Sequence, residues 1–164
     1  MKERMIPYYM AIAEETAKLS HARELKVGAI AITTDDDILY SYNGTLPGDD
    51  NVCEDVIGTA VDIEVRGITS IETKNWFWNS KLGLWEKLRT KSTLLHAEEN
   101  LLLKFAKSKT SSSGATIFVT HSPCIACARK LVMAGIVAVY FREEFKSREG
   151  LDLLAERGIY TRRV

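Results

Sequence analysis

The chain has 164 residues, of which 46% are hydrophobic and 27% charged. This is ordinary globular usage, and a chain of this length buries about 70% of its unfolded surface without disulfide staples. The 22 basic and 22 acidic residues cancel, so no global basic excess argues for a nucleic-acid partner. The longest apolar stretch, Leu131 to Phe141, is too short to cross a bilayer. Charges at Lys2, Glu3 and Arg4 occupy the place where a secretion signal needs an apolar run. A single cytoplasmic domain over residues 1–164, with no membrane partner, is expected. Three cysteines, two of them spaced Cys124-x-x-Cys127, point to metal or redox chemistry inside a cell rather than a disulfide framework.

In chain order, Ile6, Met10, Ala13 and Ala17 mark one face of a helix running to about Ser20. Val27–Ile32 reads as a strand, paired through the turn Thr33 to Asp37 with Ile38–Tyr42. The turn-rich stretch from Asn43 to Asn51 is long enough to suggest a functional loop. Residues 54–92 are the least legible. Val61 to Val65 alternates like a strand, and Trp76, Phe77, Trp78 and Trp85 read as core or subunit interface. Ala97–Lys107 is a helix with Leu101, Leu102 and Phe105 inward, and Ala115–Thr120 is a strand. Ser122 as N-cap and Pro123 at the first helical position open a helix to about Ala134, with Gly135 just beyond its end. Val137–Phe141, a helix over Glu149–Arg157 and a strand at Ile159–Thr161 complete the chain. The order α-β-α-β-α-β from residue 97 predicts an α/β domain of strands joined by crossover helices.

The chemistry concentrates in His96-Ala97-Glu98 and in Pro123-Cys124-Ile125-Ala126-Cys127. Two cysteines three apart at a helix N-terminus put both sulfurs on one face, where the helix dipole favours thiolate. Two thiolates and an imidazole make a three-member zinc ligand set, which keeps a fourth position open as catalytic sites do. Glu98, in the first turn after His96, is placed to move protons beside the metal without binding it. Three other readings stand beside this one. The pair could be a redox C-x-x-C; a structural zinc could take Cys53, His21 or His121 as fourth ligand; or the residues could be ordinary core.

At these residues the sequence resembles the zinc-dependent cytidine and deoxycytidylate deaminase superfamily, whose signature is H-x-E with P-C-x-x-C. Within it the likeness is to phage-type deoxycytidylate deaminases. It extends to Lys26-Val27-Gly28-Ala29-Ile30, Ser41-Tyr42-Asn43-Gly44, His96-Ala97-Glu98-Glu99-Asn100, Thr120 to Ala128, and Ala134-Gly135-Ile136. The resemblance implies a three-layer α/β/α sandwich around a mixed, roughly five-stranded sheet. It implies hydrolysis of dCMP to dUMP and ammonia, supplying dUMP for thymidylate synthesis. In that likeness His96, Cys124 and Cys127 hold a catalytic Zn²⁺ and Glu98 shuttles the proton. Asn43, Asn100, Ala97, Ser122 and Pro123 contact substrate. The likeness also implies a homo-oligomer, often a hexamer, activated by dCTP and inhibited by dTTP with Mg²⁺. Lys26, Gly28, Tyr42 and Gly44 lie where such an effector would bind.

Two departures matter. Ser41 stands where the likeness has glycine, which predicts a loss of positive-φ freedom in a loop switch. His21-Ala22-Arg23-Glu24-Leu25 replaces the cysteine-rich stretch with which some relatives hold a second zinc, so no second zinc is expected. Cytidine, a pterin-like base or a tRNA adenosine are rival substrates, and a zinc-stabilised binding module is the rival outside catalysis. The 5′-phosphate needs cations, for which Arg23, Lys26, Lys107, Arg129, Arg142 and Lys146 are candidates. Phe141 and Phe145 are candidates to stack on the base.

Overall fold

A computed structural model describes residues 2–61 and 75–164. In chain order the elements are α1 (Ile6–Ala17), β1 (Gly28–Ile32), β2 (Ile38–Tyr42), β3 (Glu54–Ala60), β4 (Trp76–Asn79) and β5 (Leu84–Thr90). They continue with α2 (Ala97–Lys107), β6 (Thr116–His121), α3 (Ile125–Met133), β7 (Ala138–Glu143), α4 (Glu149–Glu156) and β8 (Tyr160–Arg163). They form two compact units. One comprises Met1–Ser20, Lys26–Gly44 and Leu95–Val164, the other His21–Leu25 and Thr45–Leu94. Among the described residues no helix is long and apolar enough to cross a membrane.

The first unit is built on a five-stranded sheet of order β2-β1-β6-β7-β8. β1 runs antiparallel to β2 and β6, while β6, β7 and β8 are parallel. The sheet is therefore mixed, as expected. Its parallel strands are joined through α3 and α4, because a parallel pair needs a crossover rather than a hairpin. Side chains alternate across the strands. Ile30, Ile32, Phe118 and Tyr140 face Ile6, Met10 and Ala13 of α1. Ala29, Ala31, Ile117, Val119, Val139 and Phe141 pack with Leu101 of α2, Leu131 of α3 and Leu154 of α4. This gives three layers, with α1 alone on one face of the sheet. Phe141 thus belongs to the core and is not available to stack on a base.

Gly28 shows why α1 and β1 have small residues where they meet. A Cβ at Gly28 would stand 2.1 Å from the Ala13 carbonyl oxygen and 2.5 Å from the Ala17 nitrogen. The helix backbone fills the place of the missing side chain. At the far end of α3 the expected glycine stop is present. Gly135 has φ +73°, its N–H donates to Val132 O, and the Ile136 N–H donates to Leu131 O. This pair of bonds is a Schellman motif.

The start of α3 differs from expectation. The N-cap is Cys124, with φ −69° and ψ 167°, and the helix begins at Ile125. Ser122 cannot cap it because its groups are engaged elsewhere: its N–H donates to Glu143 O and its hydroxyl accepts the Phe145 N–H. Ser122 and Pro123 therefore form an extended approach to the helix rather than its first residues.

The second unit is a three-stranded antiparallel sheet of order β3-β5-β4, with a register shift between Val56 and Gly58. The His21–Leu25 segment is fastened to this sheet. The Arg23 and Glu24 N–H groups both donate to Glu54 Oε1, at 2.8 and 3.0 Å. The Arg23 guanidinium donates to Glu86 at 2.6 Å, and Ala22, Cys53 and Leu94 form a small buried cluster. None of Trp76, Phe77, Trp78 and Trp85 is buried, so the core reading of these aromatics fails. Trp78 and Trp85 are cross-strand partners whose rings meet edge to face at 5.6 Å. Beyond Val61, the strand expected over Val61 to Val65 lies outside the described residues.

Candidate active site

Two helix starts meet at the site. His96 is the N-cap of α2, with φ −69° and ψ 155°, and Cys124 is the N-cap of α3. Cys127 follows in the first turn of α3, so both sulfurs face His96. The His96 Nδ1 lies 3.6 Å from Cys124 Sγ and 3.4 Å from Cys127 Sγ. All three donor atoms fall within 4.8 Å of one another. Zn–N and Zn–S bonds of about 2.0–2.1 and 2.3 Å at a tetrahedral angle give a nitrogen-to-sulfur edge of about 3.6 Å. The donor set and its spacing fit zinc. Among the described residues these three form the one such group of potential ligands. His121, in the same unit, does not join them, and neither Cys124 nor Cys127 is in a disulfide.

The electrostatics set the pair apart. Hydrogen bonds from Cys127 and then His96 hold the Cys124 thiol down to about 3. The same bond, reinforced by burial, pushes the Cys127 thiol up. Metal binding favours the thiolate form of both sulfurs. The Cys124 contact also raises His96, against burial. Glu98 is 4% exposed, and burial pushes its carboxyl up to about 7. A carboxyl of that affinity near neutral pH both accepts and releases a proton, as a general acid–base requires. The two ligand helices are tied outside the site by Lys130 and Glu99, 2.5 Å apart.

A family model described as "Cytidine and deoxycytidylate deaminase zinc-binding region" matches residues 4–143. The chain belongs to this family. Its members are zinc-dependent hydrolases, which agrees with the donor set. The structure is similar to that of dCMP deaminase from the cyanophage S-TIM5 in complex with dCMP and dUMP. That similarity has a TM-score of 0.76 and 30% identity, covering 100% of this chain and 99% of that one. In sequence the chain is 28% identical to ComE operon protein 2 of Bacillus subtilis, over 96% of this chain and 69% of that protein. It is 39% identical to the deoxycytidylate deaminase of enterobacteria phage T2 over 40% of this chain, which spans 36% of the phage protein.

Asn43 is buried, and its Oδ1 accepts the Val27 N–H at 2.8 Å. Its backbone N–H donates to Val27 O and its carbonyl accepts from Ser20 Oγ, so Asn43 is anchored on both sides. Asn100 donates from Nδ2 to Tyr42 O at 3.1 Å, linking α2 to that same segment. Ala97 is fully buried and its carbonyl accepts from Ser41 Oγ at 2.7 Å. Gly44 and Leu95 exchange backbone hydrogen bonds.

Ser41 lies inside β2, and no positive φ occurs at 41 or 44. The expected loss of left-handed freedom at Ser41 therefore does not arise. Of the effector candidates, Lys26 is exposed, Tyr42 and Gly44 are half-buried, and Gly28 is buried under α1. Among the cations proposed for phosphate, Arg23 is paired with Glu86 and Arg142 with Glu14 at 2.7 Å. Lys26, Lys107, Arg129 and Lys146 are exposed. Sequence reasoning missed the Ser41–Ala97 and Lys130–Glu99 ties. Periodicity marks which face of α2 is buried but says nothing of which polar groups cross to it.

Proposed function

We propose that this chain, as one deaminase domain over residues 1–164, hydrolyses dCMP to dUMP and ammonia. The convergence of His96 Nδ1 with both cysteine sulfurs beside the buried Glu98 carries the reading. The likeness along the whole chain to a cyanophage dCMP deaminase supports the choice of substrate.

Zinc held by His96, Cys124 and Cys127 would activate water as a nucleophile at neutral pH. Glu98 takes a proton from the attacking water and delivers it to the departing amine, so the reaction releases ammonia and leaves a carbonyl on the ring. Burial keeps Glu98 ready for both halves of that transfer. Asn43 and Asn100 orient the sugar, and their anchors to Val27 and Tyr42 hold that geometry in advance. Ala97 and the Ser122–Pro123 approach form the walls beside the ligands. Exposed cations, with Lys26, Lys107, Arg129 and Lys146 as candidates, meet the 5′-phosphate.

Assembly as a homohexamer and control by dCTP and by dTTP with Mg²⁺ belong to this reading. Asn43 stands between Tyr42 and Gly44, so a triphosphate held at the end of β2 would act on a substrate residue directly.

The test is turnover of dCMP, deoxycytidine, cytidine and an adenosine stem-loop by protein of measured zinc content. The expected result is one zinc per chain and a strong preference for dCMP, since each charge-assisted bond to the phosphate contributes roughly 1.5–3 kcal/mol. Equal efficiency on nucleoside and nucleotide would return the assignment to a cytidine deaminase. Zinc without any turnover would leave a zinc-stabilised binding module.

A further inference from the structure

Cys124 is held by more than the two helices that carry the ligands. The extended residues before it are pinned to the end of β7 and to the connection that follows it. Ser122 donates its N–H to Glu143 O at 2.8 Å, and its hydroxyl accepts the Phe145 N–H at 2.8 Å. α4 then closes on the same residues at Gly150, the second position of that helix. A Cβ at Gly150 would stand 2.0 Å from the Pro123 carbonyl oxygen, 2.9 Å from the Pro123 carbonyl carbon and 3.0 Å from that of Cys124.

All three atoms are backbone, so no side-chain rotation relieves the clash. Carbon-to-oxygen contacts settle at about 3.3 Å or more, so an added methyl displaces α4 or the Pro123–Cys124 peptide by about an ångström. Glycine is a poor helix former, and Gly150 does not have the positive φ that would call for one. Its reason for being glycine is this close approach. Gly150 lies beyond residues 4–143, the span matched by the family model, whereas Ser122 lies within it.

We infer that Gly150 and Ser122 are positioning residues for the metal, with α4 and the β7–α4 connection bracing the Cys124 sulfur against His96 and Cys127. The inference rests on the zinc reading of the site. A displacement of about 1 Å is large against a Zn–S bond of about 2.3 Å, and loss of outer-shell support lowers metal affinity ~10–100-fold in metal proteins generally. Neither residue need touch zinc or substrate to have this effect.

The experiment measures zinc affinity by competition with a chromophoric chelator, for the wild-type chain and for Gly150→Ala and Ser122→Ala. Asp152→Ala, an exposed change on α4, is the control. Thermal midpoints are recorded with and without zinc. Gly150→Ala and Ser122→Ala should each bind zinc at least ~10-fold more weakly, with a smaller rise in midpoint on zinc addition, while Asp152→Ala matches wild type. Unchanged zinc affinity in either folded variant, even with a lowered midpoint, overturns the brace. If Gly150→Ala does not fold, Ser122→Ala decides alone, since it adds no atoms. A wild-type chain that binds no zinc would instead defeat the deaminase reading itself.

Discussion

The Ser41 hydroxyl donates to the Ala97 carbonyl at 2.7 Å, crossing from an edge strand into the first turn of α2. Ala97 lies between His96 and Glu98, so this one bond steadies the backbone that carries both the convergent imidazole and the buried carboxyl. Asn100 Nδ2 reaches Tyr42 O at 3.1 Å, and Gly44 and Leu95 exchange bonds of 3.1 and 2.9 Å. Four hydrogen bonds thus join residues 41–44 to residues 95–100, with Asn43 held among them. A glycine at position 41 would leave the backbone free to pair but would remove the first of these ties.

Ser41→Ala therefore should cost about 0.5–1.5 kcal/mol, the usual net worth of one hydrogen bond. Ser41→Gly should cost roughly a further 0.5–1 kcal/mol through backbone entropy in a strand. Turnover should fall in both, with zinc content unchanged, because the start of α2 loosens while the ligands remain. Urea unfolding and steady-state kinetics measure the two effects. A Ser41→Ala protein as stable and as active as wild type would show that the bond contributes nothing.

Glu98→Gln keeps shape and most hydrogen bonding but cannot carry a proton. Turnover should drop at least ~10²-fold, the lower end of general acid–base contributions, and zinc should stay bound. Metal analysis beside single-turnover kinetics checks both parts. Substantial activity in Glu98→Gln would assign the proton transfer to another group.

Much of this was legible in the sequence because the relevant signals are local. His96-Ala97-Glu98 and Cys124-Ile125-Ala126-Cys127 carry their chemistry at spacings that a helix start alone converts into a common face, and the mixed five-stranded sheet agrees with the family likeness. The α3 boundary was misread because Ser122 and Pro123 look like a cap and a first residue. The bond that decides the matter comes from Phe145, more than twenty residues away. The 54–92 region was opaque for a related reason. Its strands are edge-rich and half-exposed, so Trp76, Trp78 and Trp85 break the alternation of buried and polar positions that marks a strand. The close approaches at Gly28 and Gly150 have no sequence signal, since the meeting of two backbones is set by tertiary packing.

Gly28→Ala should destabilise the first unit by about 1–3 kcal/mol, the range for overpacking a filled core site. The clash is with the Ala13 carbonyl and the Ala17 nitrogen, so α1 must lift from β1. Chemical denaturation of wild type and variant gives the difference. An unchanged midpoint would mean that α1 shifts freely on the sheet.

The Arg23–Glu86 pair predicts an acid-side dependence in the second unit. The Arg23 hydrogen bond holds the Glu86 carboxyl below its ordinary value of 4.5. The folded state therefore binds fewer protons here than the unfolded state. The pair's contribution is complete above about pH 4.5 and is lost as pH falls toward the lowered folded value. The Arg23 side chain is 40% exposed, so that contribution is about 1 kcal/mol or less. Comparing Glu86→Gln with wild type by thermal unfolding from pH 6.5 to 3.5 isolates it. The gap should be widest near neutrality and close in acid; a gap independent of pH would assign the loss to packing.

A triphosphate effector bound at the end of β2 shifts dCMP affinity only if it binds one shape of residues 41–44 better than another. Coupling of 1–3 kcal/mol is common and appears as a ~5–150-fold change in apparent affinity. Here residues 41–44 are joined to residues 95–100 by four hydrogen bonds, so moving Asn43 means breaking some of them or carrying the start of α2 along. The response should accordingly lie near the low end, about 5-fold, and Ser41→Ala should widen it by removing one tie. dCMP saturation curves for wild type and Ser41→Ala, each alone, with dCTP, and with dTTP and Mg²⁺, measure this. Six curves that differ only between the two proteins would end the effector reading and leave the deaminase assignment intact. A wild-type response that Ser41→Ala narrows instead would show that the tie transmits the signal rather than restraining it.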